Sequence, residues 1–273
     1  MRRRMRVDFI KMHGLGNDFV VLDARTRQLP DIDQATASAI ADRRTGIGCD
    51  QLILLTASEA ADFRMRIFNN DGSEVGACGN ASRAVALLHG APARVETDGG
   101  LIAVEPSGSG ASVDMGEPRF EWDAIPLAYA MDTAALPVGW DGLDQPGAVS
   151  VGNPHVIFFV GDVDAVPLDT IGPDIENDPL FPEKANVNVA SVIDREHIRL
   201  RVWERGAGLT RACGTGACAT AVHAMRRGLV EREVTVSLPG GDLTIAWRSD
   251  NRIVMTGPAN EAYRGSFEWS DYA

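Results

Sequence analysis

One segment of this chain occurs twice. Residues 77–86 repeat residues 212–221, and each copy carries a Cys-Gly pair. The likeness extends upstream, where residues 63–68 match residues 198–203 at the same displacement. Further matches keep nearly the same register. An internal repeat of this kind predicts two copies of one structural unit, so the chain is expected to fold as two related halves.

Each copy places a cysteine just before a run of small and apolar residues. Glycine follows Cys78 and Cys213 and allows a tight turn, while the alanine-rich segments after it favour helices. Each cysteine is therefore expected at a helix N-terminus, where unpaired backbone N–H groups and the helix dipole favour a thiolate over a thiol. The same N–H groups can bind a carboxylate.

Around these segments the pattern is that of many short strands with one long helix per half, which predicts an α+β fold of two strand-rich domains. Residues 7–10 and 19–22 flank a glycine turn and predict a hairpin. Residues 33–42 predict a helix, and the stretch from Val160 to Pro182 is expected to be irregular because it is rich in proline.

The boundary between the halves is expected near residue 120, in a stretch rich in Gly, Pro and Asp. The tail from Tyr263 to Tyr272 lies beyond the repeat and is expected to return as a strand to the first half. The predicted domains are residues 1–119 with 265–273, carrying Cys78, and residues 120–264, carrying Cys213.

Composition narrows the classes of function. A chain of 273 residues is long enough for two cores, and its net charge of -12 argues against a nucleic-acid partner, which needs clustered Lys and Arg. No signal peptide or membrane-spanning run is evident, so the protein is expected in the cytoplasm, with translation starting at Met1 or Met5. The four cysteines form no disulfide framework, and no metal site is expected, because no Cys-x-x-Cys or spaced His pair is present.

Two related halves could bring both cysteine helices to one small substrate. One cysteine, as a thiolate, would remove a proton from carbon while the other, as a thiol, delivers one to the opposite face, which inverts a stereocentre. Converging helix N-termini would hold the substrate carboxylate and stabilise the charge that develops on it. No electron-sink cofactor is predicted.

Several motifs, in this order along nearly the whole chain, make the sequence similar to the diaminopimelate epimerase family. They are residues 12–19, 46–51, 68–74, 78–80, 152–155, 204–208 and 212–218. The resemblance implies cofactor-independent interconversion of LL- and meso-2,6-diaminopimelate, for lysine and peptidoglycan synthesis. It also implies two pseudo-symmetric domains, each a strand barrel around a central helix. A homodimer is the expected assembly, although the sequence leaves this open.

The resemblance also implies roles for single residues. Cys78 and Cys213 match the two catalytic bases, and His155 matches a residue that supports them. The positions implied in substrate binding are Asn17, Gln51, Asn69, Gly79, Asn80, Asn153, Asn186, Glu204, Arg205, Gly214 and Thr215. Among these, Arg205 is suited to bind a distal carboxylate and Glu204 an ammonium group.

Two positions depart from the family pattern. Ala81 stands where glycine usually follows Cys-Gly-Asn, and Leu209 stands where glutamate usually precedes the threonine of the second motif.

Three other functions remain open at this stage. The chain could be a two-cysteine racemase or epimerase for another amino acid, such as hydroxyproline. It could be a thiol redox protein in which Cys78 and Cys213 form a disulfide. It could also be an amino-acid-binding module, although such a module has no use for two cysteines.

Overall fold

The structure is a computed structural model that describes residues 5–76 and 78–272. Three parts of the chain lie outside these residues: residues 1–4, residue 273, and Ala77 at the edge of the repeated segment. The domain prediction includes all of them. Within the described part the strands are β1 (Arg6–Gly14), β2 (Asn17–Ala24), β3 (Gln51–Thr56), β4 (Phe63–Asn69), β5 (Glu74–Val75), β6 (Ala93–Thr97), β7 (Gly100–Ser107), β8 (Gly110–Gly116), β9 (Gly139–Trp140), β10 (Leu143–Asp144), β11 (Gly147–Ser150), β12 (Pro154–Phe159), β13 (Asn186–Val192), β14 (His197–Glu204), β15 (Gly208–Thr210), β16 (Glu233–Leu238), β17 (Gly241–Trp247), β18 (Ile253–Pro258) and β19 (Asn260–Glu268).

The α-helices of the described residues are α1 (Gln34–Ala41), α2 (Gly79–His89), α3 (Leu168–Glu176) and α4 (Gly214–Arg226), with short 3-10 turns at Val163–Ala165 and Trp269–Asp271. No helix in the described ranges has the length and apolar character needed to cross a membrane. Nor do the described residues contain a cluster of three or more His, Cys, Asp or Glu side chains that could hold a metal ion.

The chain divides into two compact units. One runs to Val113 and resumes at Gly257, and the other spans Asp114–Thr256. We call them the first and second units. Each has its own hydrophobic cluster, around Leu22, Ile40 and Leu52 in the first and around Val156, Ile171 and Val187 in the second.

Strand pairing follows the same order in both units, which confirms the internal repeat. In the first unit β1 pairs with β2 antiparallel, β2 with β3 parallel, β3 with β4 antiparallel, β4 with β6 parallel, and β6, β7 and β8 follow antiparallel. In the second unit β11, β12, β13, β14, β16, β17 and β18 repeat that sequence of pairings. Each parallel pair needs a crossover, and each crossover contains a helix.

The cysteine helices are surrounded by strands of their own unit. Helix α4 contacts β11 and β12 as well as β16 and β17, which are distant along the order of pairing, so the strands curve round the helix. Helix α2 similarly contacts β1, β7 and β19. Both helices are rich in alanine because small side chains let the strands approach from several directions. The predicted α+β class with a helix among strands is confirmed.

The hairpin and the returning tail are also confirmed. Met12 pairs with Phe19 across the β1–β2 turn, and β19 pairs antiparallel along most of β1. The prediction for the stretch before Pro182 was wrong, because α3 lies there. Leu168, Ile171 and Ile175 recur at helical spacing and are buried, and this packing outweighs the loss of one backbone hydrogen bond at Pro173.

Candidate active site

Cys78 caps the N-terminus of α2. Its backbone is extended (φ -151°, ψ 110°), and its Sγ accepts a hydrogen bond from the Ala81 N–H at 3.5 Å. Its Sγ also lies 3.9 Å from Asn17 Oδ1, to which it can donate. The side chain is partly exposed. The predicted position of this cysteine at a helix N-terminus is confirmed.

The Asn17 side chain is held from two sides. Its Nδ2 donates to Asp50 Oδ2 at 2.9 Å, and its Oδ1 accepts from Asn80 Nδ2 at 3.4 Å. Asn80 Oδ1 in turn accepts from Arg83 Nη2 at 2.7 Å, and Arg83 is fully buried. A carboxylate only accepts and a guanidinium only donates, so Asp50 and Arg83 fix which way both amides face.

Asp50 belongs to a charged network at the edge of this group. Arg43 Nη2 donates to Asp50 Oδ1 at 2.7 Å and also contacts Asp18, whose other oxygen pairs with Lys11. Burial alone would raise the pKa of Asp18, but the hydrogen bonds from Arg43 and Lys11 outweigh it and lower this pKa to about 2. Asp18 therefore stays ionised at neutral pH, and Arg43 ties it to Asp50.

Gln51 and Asn69 are register partners on β3 and β4. Gln51 Nε2 donates to Asn69 Oδ1 at 3.1 Å, and Asn69 Nδ2 donates to Ser73 Oγ at 3.1 Å. Gln51 Oε1 is buried and has no hydrogen-bond partner among the described residues. An unsatisfied buried oxygen of this kind is costly unless a ligand supplies a donor.

Cys213 caps α4 as Cys78 caps α2. Its Sγ accepts from the Gly216 N–H at 3.3 Å and lies 3.5 Å from Thr215 Oγ1, and the residue is only 4% exposed. Burial and the neighbouring Glu204 carboxylate raise the pKa of Cys213 well above its usual value, against the lowering effect of Thr215 and Gly216. Desolvation and the like charge of Glu204 thus oppose the thiolate that the helix N-terminus favours.

A continuous hydrogen-bond relay leads to Thr215 from the interior of the second unit. Asn153 Nδ2 donates to Thr215 Oγ1 at 3.3 Å, and Asn153 Oδ1 lies 2.9 Å from His155 Nε2. His155 Nδ1 lies 3.2 Å from Asn188 Nδ2. Burial lowers the pKa of His155 to about 3, so its ring is neutral at physiological pH.

Glu204, Arg205 and Asn186 meet at the ends of β13 and β14. Glu204 Oε1 accepts from Thr210 Oγ1 at 2.5 Å, and burial raises the pKa of Glu204 above its usual value. Asn186 Oδ1 accepts from the Arg205 backbone N–H at 2.9 Å. The Arg205 side chain is exposed, and its Nη1 donates to the Glu183 carbonyl at 2.8 Å.

The predicted residues thus fall into two groups, one in each unit. In the first unit contacts link Asn17, Cys78 and Asn80, with Gly79 in the same turn, while Gln51 and Asn69 form a separate pair. In the second unit contacts link Asn153, His155, Thr215, Cys213 and Glu204, with Gly214 in the turn and Asn186 bonded to Arg205.

Sequence reasoning missed the residues that hold these groups. Asp50, Arg83 and Asn188 each bond to a predicted site residue, yet none was assigned a role. The pairs Asp50–Asn17 and Asn188–His155 are more than 30 residues apart in the chain. The one available signal was Asp50 lying next to Gln51 in the 46–51 motif.

Comparison with known proteins shows the family to which the chain belongs. The family model described as diaminopimelate epimerase matches residues 9–121 and 147–261. The chain belongs to the diaminopimelate epimerase family. A relative named diaminopimelate epimerase from Erythrobacter litoralis is 68% identical over 269 residues, covering 98% of this chain and 100% of the relative. One from Rhizorhabdus wittichii is 62% identical, covering 98% of both chains.

Solved structures extend the likeness in fold. A phenazine biosynthesis protein of the PhzF family from Enterococcus faecalis aligns with a TM-score of 0.70 at 16% identity, covering 96% of this chain and 99% of that one. A hydroxyproline epimerase from Agrobacterium vitis aligns with a TM-score of 0.67 at 13% identity, covering 98% and 93%. At such identities the likeness concerns the fold alone. The diaminopimelate epimerase family thus shares its fold with proteins of other activities.

Proposed function

We propose that this protein epimerises LL-2,6-diaminopimelate to the meso form, with Cys78 and Cys213 as the two acid/base groups. Membership of the diaminopimelate epimerase family supports the reaction. The observation that carries the mechanism is the pair of cysteines, each capping an equivalent helix of a repeated unit. An inversion needs one base and one acid, and two equivalent thiols supply both.

The reaction balances without a cofactor. One sulfur, as a thiolate, takes the α-proton and becomes a thiol. The other thiol delivers its proton to the opposite face of the carbon and becomes a thiolate. Only C–H and S–H bonds form and break, and nothing is oxidised. Exchange of these roles between Cys78 and Cys213 accounts for the reverse direction.

Backbone donors at the two helix starts are suited to stabilise the carbanion. In this proposal the N–H groups of Gly79, Asn80, Gly214 and Thr215 bind the α-carboxylate, onto which negative charge spreads when the α-proton leaves. Preorganised N–H groups at a helix N-terminus stabilise such charge without reorganising.

The rest of the substrate has a carboxylate and an ammonium group at its far end. The exposed guanidinium of Arg205 is suited to bind the distal carboxylate, and Glu204 is suited to an ammonium group. We assign Asn17, Asn69, Asn153 and Asn186 as neutral partners and Gln51, with its unsatisfied buried Oε1, as an acceptor. His155 supports Cys213 through Asn153.

The test is incubation of the reduced protein with LL-diaminopimelate in deuterated water with no cofactor added. We expect the meso form with deuterium at the inverted centre. Cys78→Ala and Cys213→Ala should each reduce the rate by at least about a thousandfold, the scale of a lost acid/base group. Cys49→Ala is the matched control, because Cys49 is a buried thiol in the hydrophobic cluster of the first unit, and it should keep full activity.

If the protein with fully reduced thiols catalyses no inversion and no deuterium exchange, the proposal is contradicted. The next substrates to test would then be hydroxyproline and other amino acids, given Ala81 and Leu209. A thiol redox role predicts instead that activity requires a Cys78–Cys213 disulfide, which mapping of oxidised peptides would reveal.

Two finer properties belong to the same proposal. We place the protein in the cytoplasm, where amino-acid precursors are made, and we expect a homodimer. Light scattering on the purified protein measures the second property, and a monomeric mass at micromolar concentration would contradict it.

A further inference from the structure

Asn188 lies on β13, fully buried, and has no role in the proposed function. Its Nδ2 faces three acceptors: the Val156 carbonyl at 2.9 Å, the Asn186 carbonyl at 3.2 Å and His155 Nδ1 at 3.2 Å. Carbonyl oxygens only accept, so the amide is fixed with its NH2 group on this side. The reverse orientation would set oxygen against oxygen.

This orientation determines the tautomer of His155. Because a hydrogen on Nδ1 would be set against this NH2 group, Nδ1 carries the lone pair, and the ring hydrogen sits on Nε2. Nε2–H then donates to Asn153 Oδ1 at 2.9 Å. Burial and the charge of Arg205 keep the ring neutral by lowering its pKa. A neutral ring with one hydrogen has no second way to satisfy both neighbours.

The orientation of these hydrogen bonds continues through Asn153 to Cys213. Since its Oδ1 is taken by His155, Asn153 presents Nδ2 to Thr215 Oγ1 at 3.3 Å. Because Thr215 Oγ1 accepts there, its own hydrogen is not needed by Asn153 and is available to Cys213 Sγ, 3.5 Å away. The sulfur can then accept from this hydroxyl in addition to the Gly216 N–H.

We propose that Asn188 is a positioning residue that sets the tautomer of His155 and thereby turns the Thr215 hydroxyl hydrogen toward Cys213. The inference rests on the proposed role of Cys213 as a base, which needs donors on its sulfur when it becomes a thiolate. The packing of Asn188 under α4 supports it, since a Cβ built on Gly216 would lie 2.6 Å from Asn188 Oδ1.

The first measurement is the tautomer itself, by nitrogen-15 NMR of protein labelled at histidine, with His155→Gln used to assign the signals. We expect an unprotonated Nδ1 and a protonated Nε2 for His155 at neutral pH. A protonated Nδ1 or an exchanging mixture in the wild-type protein overturns the inference, whatever the variants do.

The variant is Asn188→Asp, which keeps the shape and replaces the donor with oxygen. We expect Nδ1 of His155 to become protonated and Asn153 to reverse, so that Thr215 donates to Asn153 instead of Cys213. The pH midpoint for alkylation of Cys213 by iodoacetamide, read by peptide mass spectrometry, should rise by about one unit, the worth of one hydrogen bond to a charged group. Glu204, beside Cys213, is unchanged in this variant.

Ser191→Ala is the matched control, since Ser191 is another buried polar side chain on β13. It should leave both the tautomer and the alkylation midpoint unchanged. Should Asn188→Asp fail to fold, Thr215→Val tests the last link and should raise the midpoint similarly. An unchanged midpoint in either folded variant contradicts the inference.

These readouts do not depend on epimerase activity. A wild-type protein with the expected tautomer but no inversion of diaminopimelate would contradict the proposed function alone. An active epimerase with the other tautomer would contradict only the role of Asn188.

Discussion

Asn17 and Asn153 occupy equivalent places before the cysteine of each unit, yet their amides face opposite ways. Asn17 turns its oxygen toward Cys78, while Asn153 turns its NH2 group toward Thr215 and the turn of Cys213. The repeated backbone therefore holds two different hydrogen-bond environments. Equivalent positions do not give equivalent chemistry, because a different partner sets each amide, Asp50 for Asn17 and His155 for Asn153.

The difference extends to the residues nearest each sulfur. Glu204 stands where the first unit has Asn69, so only Cys213 has a carboxylate beside it at that position. Cys213 Sγ also lies 3.5 Å from the Thr215 hydroxyl oxygen, whereas Cys78 Sγ lies 3.9 Å from a neutral amide oxygen. We infer that Glu204 can exchange a proton with Cys213, in addition to its proposed contact with an ammonium group of the substrate.

The largest effect on this comparison is expected from Glu204→Gln, which places a neutral amide side chain where the first unit has Asn69. We expect epimerisation to fall by about a thousandfold, as for loss of a proton-transfer group. The pKa of Cys213 should fall at the same time, because the Glu204 charge raises it. Alkylation of Cys213 at lower pH together with low activity is the expected pair of results.

Glu196→Gln, an exposed carboxylate just before β14, is the control and should change neither measurement. An active Glu204→Gln protein would remove the proposed distinction between the two cysteines.

The second prediction concerns the helix turns. Gly216 in α4 corresponds to Ala81 in α2, and a Cβ on Gly216 would lie 2.6 Å from Asn188 Oδ1 and 3.2 Å from Cys213 Sγ. Gly216→Ala should cost about 2–3 kcal/mol of unfolding free energy, as overpacking does. Ala81→Gly should cost only about 1 kcal/mol, the difference in helix propensity. Urea unfolding of both variants measures this, and equal costs would contradict the asymmetry.

The third prediction concerns the stability of the protein at acidic pH. His223 in α4 is buried, stacks on Phe159, and has no hydrogen-bond partner for either ring nitrogen among the described residues, while Leu88 holds the corresponding place in α2. Burial lowers the pKa of His223 from 6.5 to about 4. Between pH 6.5 and 4, His223 is therefore protonated in the unfolded chain but neutral in the folded protein. The free energy of unfolding falls as the pH drops through this range.

His223→Leu should reduce this loss by about 2 kcal/mol at pH 5 relative to pH 7.5, as linkage of that pKa shift requires. Urea unfolding at both pH values measures it. Part of the loss of stability should remain in this variant, because the pKa of His155 is also lowered in the folded protein. A pH dependence identical to that of the wild type would show that His223 is not the group concerned.

The smallest effect is expected from Asp50→Asn. The variant keeps the shape but removes the acceptor that fixes Asn17, so the Asn17 amide can turn its NH2 group toward Cys78. We expect about a tenfold lower rate, equal to about 1.4 kcal/mol in the barrier. Asp31→Asn removes the same charge from an exposed ion pair with Arg66 and should keep the wild-type rate. An unchanged rate in Asp50→Asn would mean that Asn17 holds its orientation without Asp50.

Local signals explain what could be predicted of the fold. Glycine and a run of small residues after Cys78 and Cys213 are enough to predict a capped helix, and the structure confirms both. Helix α3 was missed because the prolines between Val160 and Pro182 favour an irregular stretch. The repeat itself contained the correction, since α1 and α3 occupy the same crossover between parallel strands in the two units.

The side-chain environment could not be predicted, because it depends on contacts between distant segments. Asp50 meets Asn17, and Asn188 meets His155, only after parallel strands have paired. The raised pKa of Cys213 could not be predicted from the sequence for the same reason. A helix N-terminus is visible in the sequence, but the burial that outweighs it is a property of the folded unit.

The pairing of β19 with β1 has a consequence for synthesis on the ribosome. The second unit is one continuous segment and can fold as soon as it emerges, whereas the first unit must wait for a strand made after the second is complete. Until then β1 has one edge unpaired, a surface on which a nascent chain can aggregate or recruit a chaperone. The unit whose synthesis starts first is the last to be finished.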